Sequence, residues 1–385
     1  MAKSLVVIGA GQGGLSAAIH ARLRGYDVLV LEQHDAAGGK AAAIETHGYR
    51  LDPGPSIIIL THLYEAVFRA AGRNPADYLQ FDRLDPFTRV FFDGGEPIDL
   101  PGDESACIQL LRQLSRSDAD NLQMVLHKLE RVAPLVDRTV FARPVETWAQ
   151  FLHPNFLRIG MQFDVRRTYR QLIDGWFELP MLRAFFYGFP SYNGQTYDGS
   201  AAGALLIPYY MLRHGVYYPR GGVAAIPAAF RRLAEELGVE FRYGARVTQV
   251  RHANQRVTAV QLADGERVTA REFISNVDPY TLPIEGRTPP AVQPNFSYYT
   301  WHWGLPGPLP MLRHHTLIIP RDYERGFREL YDDRRFPTEP IVYLNETSAL
   351  DPSAAPAGRA NLFAVVTGPA EHPHLDWAGE TRAQA

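Results

Sequence analysis

The stretch SLVVIGAGQGGLSAAIHARLRGYDVLVLEQHDAAGGKA, residues 4–41, decides the fold. Its apolar run 5–8 is typical of a strand that is buried on both faces. Three glycines then follow in a G-x-G-x-x-G pattern: Gly9, Gly11 and Gly14. Between a strand and a helix, such glycines allow a tight turn, the approach of a pyrophosphate to bare backbone, and close helix packing. Glu32 ends the next predicted strand, where a carboxylate can bind ribose hydroxyls. The stretch therefore predicts an α/β dinucleotide-binding unit.

A second glycine pair follows the acid in the pattern E-x(5)-G-G-K, formed by Gly38, Gly39 and Lys40. Backbone amides and one positive charge at this point suit a cofactor that is longer than a nicotinamide dinucleotide. Residues 52–56, DPGPS, then form a rigid turn. This turn is either part of the same site or an ordinary surface turn.

Composition excludes several classes of protein. The chain has 385 residues, which predicts two or three domains, and its net charge of -3 argues against nucleic-acid binding. Its one cysteine, Cys107, excludes an internal disulfide framework and is expected to be a small buried hydrophobe in a reducing compartment. The histidines show no metal-ligand spacing, so no metal site is predicted. We expect no signal peptide, and the longest later apolar run, 201–212, is too short to span a membrane.

Four further segments narrow the choice of protein family. They are LDPGPSII (51–58), YYPRGGVAAIPAAFRRLAEELGVEFRYGARVTQV (217–250), FISNVDP (273–279) and DPSAAPAGRANLFAVVTGPAEHPHLDW (351–377). Together with the N-terminal stretch they resemble the flavin-dependent phytoene desaturase family of carotenoid oxidoreductases. The likeness covers residues 4–377. The family's second flavin-contacting motif, G-A-x-x-H-P-G-x-G-x-P-G, does not follow Trp377. We therefore expect either a shortened chain or one that completes its flavin pocket in another way.

The resemblance implies an α/β architecture of the amine oxidase and phytoene desaturase type. A discontinuous, Rossmann-like FAD-binding domain accompanies an α+β substrate domain. The expected divisions are 1–80 and 215–280 for FAD, 81–214 and 281–377 for substrate, and 378–385 as a tail. The implied FAD-binding residues are Gly9, Gly11, Gly13, Gly14, Glu32, Gln33, Gly38, Gly39, Lys40, Gly54, Pro55, Ser56 and Val247.

The mid-chain segment P-R-G-G implies a loop that re-enters the flavin domain near a substrate tunnel. Its residues Arg220, Gly221 and Gly222 are expected at the tunnel mouth. The aromatic stretch 295–305, NFSYYTWHWGL, alternates its side chains between two faces. Tyr299 and Trp301 on one face are candidates for the tunnel lining, or they belong to the sheet core.

The implied reaction is FAD-dependent desaturation of a carotenoid, phytoene or a later carotene, by hydride transfer to the flavin. No catalytic residue is assigned, and neither the electron acceptor nor the oligomeric state is evident. A carotenoid cis–trans isomerase that uses reduced FAD and a truncated, non-catalytic relative remain alternatives.

The expected partner is an apolar polyene, with no nucleic acid. A helical region rich in Arg and aromatic residues, 156–186, suits a membrane surface. An ordinary buried helical face is equally consistent with that composition. The expected location is cytoplasmic and peripheral to the membrane.

Overall fold

The computed structural model describes residues 3–54, 56–141, 147, 152–162, 167–199, 204–254, 256–285 and 295–370. The strands in chain order are β1 (Lys3–Ile8), β2 (Tyr26–Leu31), β3 (Ile44–Thr46), β4 (Tyr49–Leu51), β5 (Phe81–Arg83), β6 (Thr88–Phe92), β7 (Ile98–Leu100), β8 (Tyr217–Pro219), β9 (Glu240–Arg242), β10 (Val247–Ala253), β11 (Arg256–Leu262), β12 (Arg267–Thr269), β13 (Glu272–Ser275), β14 (Phe296–Leu305), β15 (His315–Ile319), β16 (Val342–Asn345) and β17 (Ala360–Pro369). The helices are α1 (Gln12–Leu23), α2 (Thr61–Ala70), α3 (Glu104–Leu114), α4 (Arg116–Val136), α5 (Pro154–Gln162), α6 (Tyr169–Trp176), α7 (Pro180–Tyr187), α8 (Leu206–His214), α9 (Ala225–Glu236) and α10 (Tyr323–Tyr331).

A four-stranded parallel sheet with the order β13-β1-β2-β9 carries the N-terminal unit. Its central strand β1 is apolar because both faces are covered, and Val7 has no solvent exposure. On one face lie α1 and α9, whose apolar stripes include Ile19 and Leu233. The segment 217–250, which contains α9 and β9, thus brings the chain back to this sheet.

A six-stranded mixed sheet with the order β14-β17-β16-β15-β6-β7 forms the second layer. Only β15 and β6 pair in parallel, whereas the other neighbours are antiparallel. Its long central strand β17 is buried along most of its length, as a strand covered on both faces should be. Helices α3, α4, α6, α7 and α8 pack with this sheet into one aromatic-rich core, and Cys107 is buried in it.

The sequence 88–100, TRVFFDGGEPIDL, is typical of a hairpin with a glycine turn, and the structure forms it as β6 and β7, joined through Gly94 and Gly95. The sequence 246–275, with turn residues at Asn254 and Asp264-Gly265, predicts a β-meander, and this prediction is only partly correct. Strands β10, β11 and β12 form it, but β13 leaves it and pairs in parallel with β1. The parallel neighbour of β1 lies far away in sequence, so local turn signals could not reveal this pairing.

Within the described part of the chain, no helix is both long enough and apolar enough to cross a membrane.

Candidate active site

The predicted glycine turn joins β1 to the start of α1. Gly9 has a φ of +95°, a conformation that favours glycine. A Cβ at Gly14 would lie 2.0 Å from the carbonyl oxygen of Gly9, so α1 packs on the turn only without a side chain there. A Cβ at Gly13 would lie 2.7 Å from Nδ2 of the Asn276 side chain.

Gly11 differs from these residues, because its φ is −73° and its backbone is extended. The nearest atom to a Cβ at this position would be Cα of Gly39, at 3.8 Å. Neither backbone angle nor protein packing therefore requires a glycine. A Cβ there would make ordinary van der Waals contacts with Gly39 and Asn276, on the turn where the G-x-G-x-x-G pattern predicts a dinucleotide.

Glu32 directly follows β2 and is 5% exposed. Its carboxylate accepts hydrogen bonds from the backbone N–H of Ala10 at 2.7 Å and of His34 at 3.0 Å. Each oxygen keeps a further lone pair, so the carboxylate is fixed against the turn and can still accept a bond from a ligand hydroxyl. Gln33 is exposed beside it, and its amide nitrogen lies 3.1 Å from Nε2 of His34.

The second glycine pair lies against the first turn. The N–H of Gly38 donates to the carbonyl of Ala10 at 3.0 Å, and a Cβ at Gly39 would lie 3.0 Å from Cα of Gly11. The DPGPS turn packs against Lys40, the residue that follows this glycine pair. A Cβ at Gly54 would lie 2.0 Å from the carbonyl oxygen of Lys40. The structure thus brings the predicted cofactor segments together. Pro55 lies outside the described residues.

Val247 begins β10 and packs in the apolar cluster with Ile8 and Leu31. Ala245, two residues earlier, donates its N–H to the carbonyl of Glu32 at 2.8 Å. The start of β10 is therefore tied to the same end of the parallel sheet.

Asn276 lies at the predicted cofactor turn, and the sequence analysis did not single it out. It directly follows β13, and its N–H donates to the carbonyl of Ile8 at 2.9 Å. Its side chain packs against the turn, since its Oδ1 would lie 2.8 Å from a Cβ at Gly13 and 3.9 Å from a Cβ at Gly11. A polar residue after a strand at the carboxyl edge of a parallel sheet was the available signal, but the pairing of β13 with β1 had to be known first.

A large apolar cavity of about 820 Å³ adjoins the second glycine pair and the DPGPS turn. Gly39, Lys40, Gly54 and Ser56 form part of its wall. Most of the remaining lining is aromatic or aliphatic, with contributions from α7, α8, α10 and the sheet strands, as in Phe185, Met211, Phe327, Leu317, Phe363 and Val365.

Three polar side chains, which we name the polar trio (Ser56, Tyr343 and His315), stand together in this wall. The hydroxyl oxygen of Tyr343 lies 2.6 Å from Oγ of Ser56 and 2.7 Å from Nδ1 of His315. Burial raises the pKa of Tyr343 and lowers the pKa of His315 well below its ordinary value. Both side chains are therefore neutral at neutral pH.

The residues predicted at the tunnel mouth do not line this cavity. Arg220 is exposed and paired with Asp82 at 2.9 Å, beside Gly221. Gly222, at a φ of +84°, packs instead on the side chain of Asp52, which a Cβ would approach to 2.7 Å. This loop therefore packs against the turn that follows β4.

Tyr299 and Trp301 are also absent from the lining of this cavity. Tyr298 and Thr300 of the same strand line it, and side chains of a strand alternate between its faces. Of the two alternatives for Tyr299 and Trp301, tunnel lining and sheet core, this cavity does not support the first. The two rings pack edge to face on the opposite side of the sheet, with centroids 4.5 Å apart.

Comparison with known proteins gives consistent matches over nearly the whole chain. Residues 13–375 match the family described as flavin-containing amine oxidoreductase. A 4,4'-diapolycopene oxygenase from Methylomonas sp is 31% identical over 97% of this chain and 76% of its own length. A zeta-carotene-forming phytoene desaturase from Myxococcus xanthus is 32% identical over 98% of this chain and 74% of its own length. An oxidoreductase from Methanosarcina mazei has a crystal structure that matches with a TM-score of 0.64 at 18% identity, covering 99% of this chain and 82% of that one.

Proposed function

The chain belongs to the flavin-containing amine oxidoreductase family, and from that premise we propose that it desaturates a carotenoid-type polyene. It is an FAD-dependent oxidoreductase with the α/β architecture of that family. One observation carries the proposal. Gly39, Lys40, Gly54 and Ser56 belong both to the predicted cofactor segments and to the wall of a large apolar cavity. A cofactor held in those segments would therefore adjoin an apolar substrate.

FAD, when bound, supplies the acceptor for the two electrons of a C–H bond. The residues that fit it are the backbone at Gly11, the carboxylate of Glu32, and the second glycine pair with the positive charge of Lys40. We further propose that 1–80 and 215–280 hold FAD, while 81–214 and 281–377 hold the polyene.

The protein contributes to the reaction through the shape and the apolar lining of this cavity. Its volume lies at the upper end of the roughly 300–1,000 Å³ usual for ligand sites. A hydrocarbon offers no hydrogen bonds, so contact with aromatic and aliphatic side chains must orient it by shape. The same side chains exclude water from the reacting carbon atoms. No residue is assigned as the base that takes the proton.

We also propose that the chain collects its substrate from a membrane surface. Helix α5 has no buried residue, and its side chains Leu157 and Met161 are 53% and 75% exposed. They lie four residues apart and so share one face of the helix, next to the exposed cation of Arg158. An apolar helical face with a basic residue suits the interface of an anionic bilayer.

The test is an assay of the FAD-loaded chain with phytoene in detergent, with oxygen or a quinone as acceptor. We expect one acceptor to be consumed for each double bond that forms. An isomerase would change double-bond geometry without consuming an acceptor, and that result would replace the desaturase proposal.

A matched pair of variants tests the cavity in the same assay. Val365→Trp fills the cavity from β17 and should lower turnover at least tenfold while FAD stays bound. Val257→Trp adds the same volume at an exposed position of β11 and should have no effect. Equal turnover in the two variants would show that the polyene binds elsewhere.

A further inference from the structure

A second, smaller void adjoins the large cavity on the side of the helices. Its volume is about 20 Å³, and we name it the side void. That space is enough for about one group of the size of a water molecule or a methyl. The strand β7 and the helices α3, α4 and α8 supply buried side chains to its wall, among them Leu100, Cys107, Leu111, Leu122, Pro208 and Leu212.

The side void suits only an apolar occupant. Among the described residues, its wall presents no polar surface. A buried water molecule needs about three polar partners, and a void without them stays dry. The thiol of Cys107 is a weak hydrogen-bonding group, and burial raises its pKa to about 12, so it is uncharged.

Four side chains line both the side void and the large cavity, and they form a partition between the two spaces. They are Phe87, Phe185, Phe189 and Met211. The rings of Phe185 and Phe189 pack edge to face with centroids 5.1 Å apart, and both pack on Phe186. These mutual contacts hold the two rings in place.

Met211 is the adaptable member of the partition. Its unbranched side chain has three rotatable bonds and fills irregular space. It is 4% exposed and lies on α8, three residues after Pro208, so the two share the helix face that meets the side void. A change of the Met211 rotamer can therefore join the two spaces without a movement of the backbone.

We propose that the side void is a pocket for a hydrocarbon end of the polyene, and that Met211 is the residue that determines how long a chain the site accepts. The inference rests on the proposed function, since it assumes that the large cavity holds a polyene. A methyl-bearing chain end displaces no bound water from this pocket. A polar end would lose its hydrogen bonds there.

The first experiment measures equilibrium binding to the FAD-loaded chain in detergent. The probes are acyclic all-trans polyene hydrocarbons of C30 and C40, and the measured quantity is the preference for C40 over C30. Cys107→Val adds about one methyl group to the wall of the side void and should lower that preference about three- to fourfold, the effect of one excluded methyl group. Met211→Ala joins the two spaces and should raise the preference at least threefold.

Met181→Ala is the matched control. Met181 belongs to the same buried core as Met211 but lines neither of the two spaces. The substitution removes the same side chain and should leave the preference unchanged. Affinity for the C30 polyene serves as the internal measure of an intact large cavity.

Cys107 provides a second, independent measurement, because it is the single cysteine of the chain and lies in the wall of the side void. Methylmercury chloride is a small apolar thiol reagent. Its reaction with Cys107 should be at least tenfold faster in Met211→Ala than in Met181→Ala. Saturating C40 polyene should slow the reaction in Met211→Ala more than saturating C30 polyene does.

An unchanged preference in both Cys107→Val and Met211→Ala would overturn the pocket, and so would equal labelling rates in Met211→Ala and Met181→Ala. Binding of neither polyene to the unmodified chain would overturn the proposed substrate class as a whole. The labelling rates without polyene separate these failures, because they report only whether Met211 divides the two spaces.

Discussion

At the residue scale, different physical reasons explain why each position of the turn after β1 holds a glycine. Gly9 is required by its positive φ and Gly14 by the 2.0 Å approach of a Cβ to a carbonyl oxygen. Gly11 has neither requirement, since its φ is −73° and a Cβ there meets nothing closer than 3.8 Å. The fold therefore does not require a glycine here, which agrees with the proposal that FAD lies on this turn.

This difference predicts opposite behaviour for two identical substitutions. Gly11→Ala should fold with a loss of less than about 1 kcal/mol, the scale of a helix N-cap exchange, and should weaken FAD binding at least tenfold. Gly14→Ala should lose more than about 3 kcal/mol, because the backbone of the turn must move. Urea unfolding and flavin fluorescence titration measure the two effects. Unchanged FAD affinity in Gly11→Ala would show that the cofactor does not lie on this turn.

The residues that sequence could identify are those whose type and spacing carry the chemistry. Gly11, Glu32 and Gly39 stand in patterns readable along a short stretch of chain. The polar trio could not be found in this way, because Tyr343 follows His315 by 28 positions and meets it only through strand pairing. The choice between tunnel lining and sheet core for Tyr299 stayed open for a similar reason. Alternation shows which residues share a face but not which face meets a cavity.

At the element scale, α10 and the segment that follows it are joined at the edge of the cavity through Glu329. This carboxylate is 2% exposed and accepts hydrogen bonds from Thr338, Arg325 and Arg335. The backbone N–H of Thr338 is the main cause that lowers the pKa of Glu329 to about 2. Pro337 and Glu339 beside it line the cavity.

The lowered pKa predicts a pH-dependent contribution to stability. In the unfolded chain the pKa of Glu329 returns to about 4.5, so the folded state gains stability from the carboxylate above that pH. The gain is lost as pH falls from 4.5 towards 2. The difference in unfolding free energy between the unmodified chain and Glu329→Gln should be largest above pH 5 and shrink below 4.5, as measured by urea unfolding at each pH.

A surface carboxylate provides the control for that experiment. Glu235 pairs with Arg231 on the exposed side of α9. Glu235→Gln should change the unfolding free energy by less than about 0.5 kcal/mol at every pH. A difference for Glu329→Gln that does not vary with pH would contradict the account, because it would arise from packing alone.

Helix α5 carries a second prediction at this scale. Replacing both Leu157 and Met161 with Glu should reduce binding to vesicles of phosphatidylcholine and phosphatidylglycerol at least tenfold in a sedimentation assay. Stability should hardly change, because neither side chain is buried. Leu350→Glu introduces a charge at another exposed apolar position and should have no effect. If the double variant sediments with vesicles as before, the membrane contact lies elsewhere.

At the scale of the whole molecule, two sheets built from interleaved segments meet at one place. The parallel sheet supplies the glycine turn and Glu32, and the six-stranded sheet supplies much of the cavity wall. The N-terminal unit was predictable because strand, turn and helix follow one another within 4–41. The sequence could not predict where β13 lies or which face of the six-stranded sheet meets the cavity. Each depends on pairing between segments that are distant in sequence.

The most direct test of the central claim is a single-turnover experiment without oxygen. The FAD-loaded chain is mixed with excess C40 polyene, hydrocarbon or hydroxylated, and the absorption spectrum is followed with time. We predict that the oxidised flavin absorbance bleaches while the polyene absorbance shifts to longer wavelength, with one double bond formed for each flavin reduced. A chain that retains FAD but shows neither change with either polyene would contradict the account.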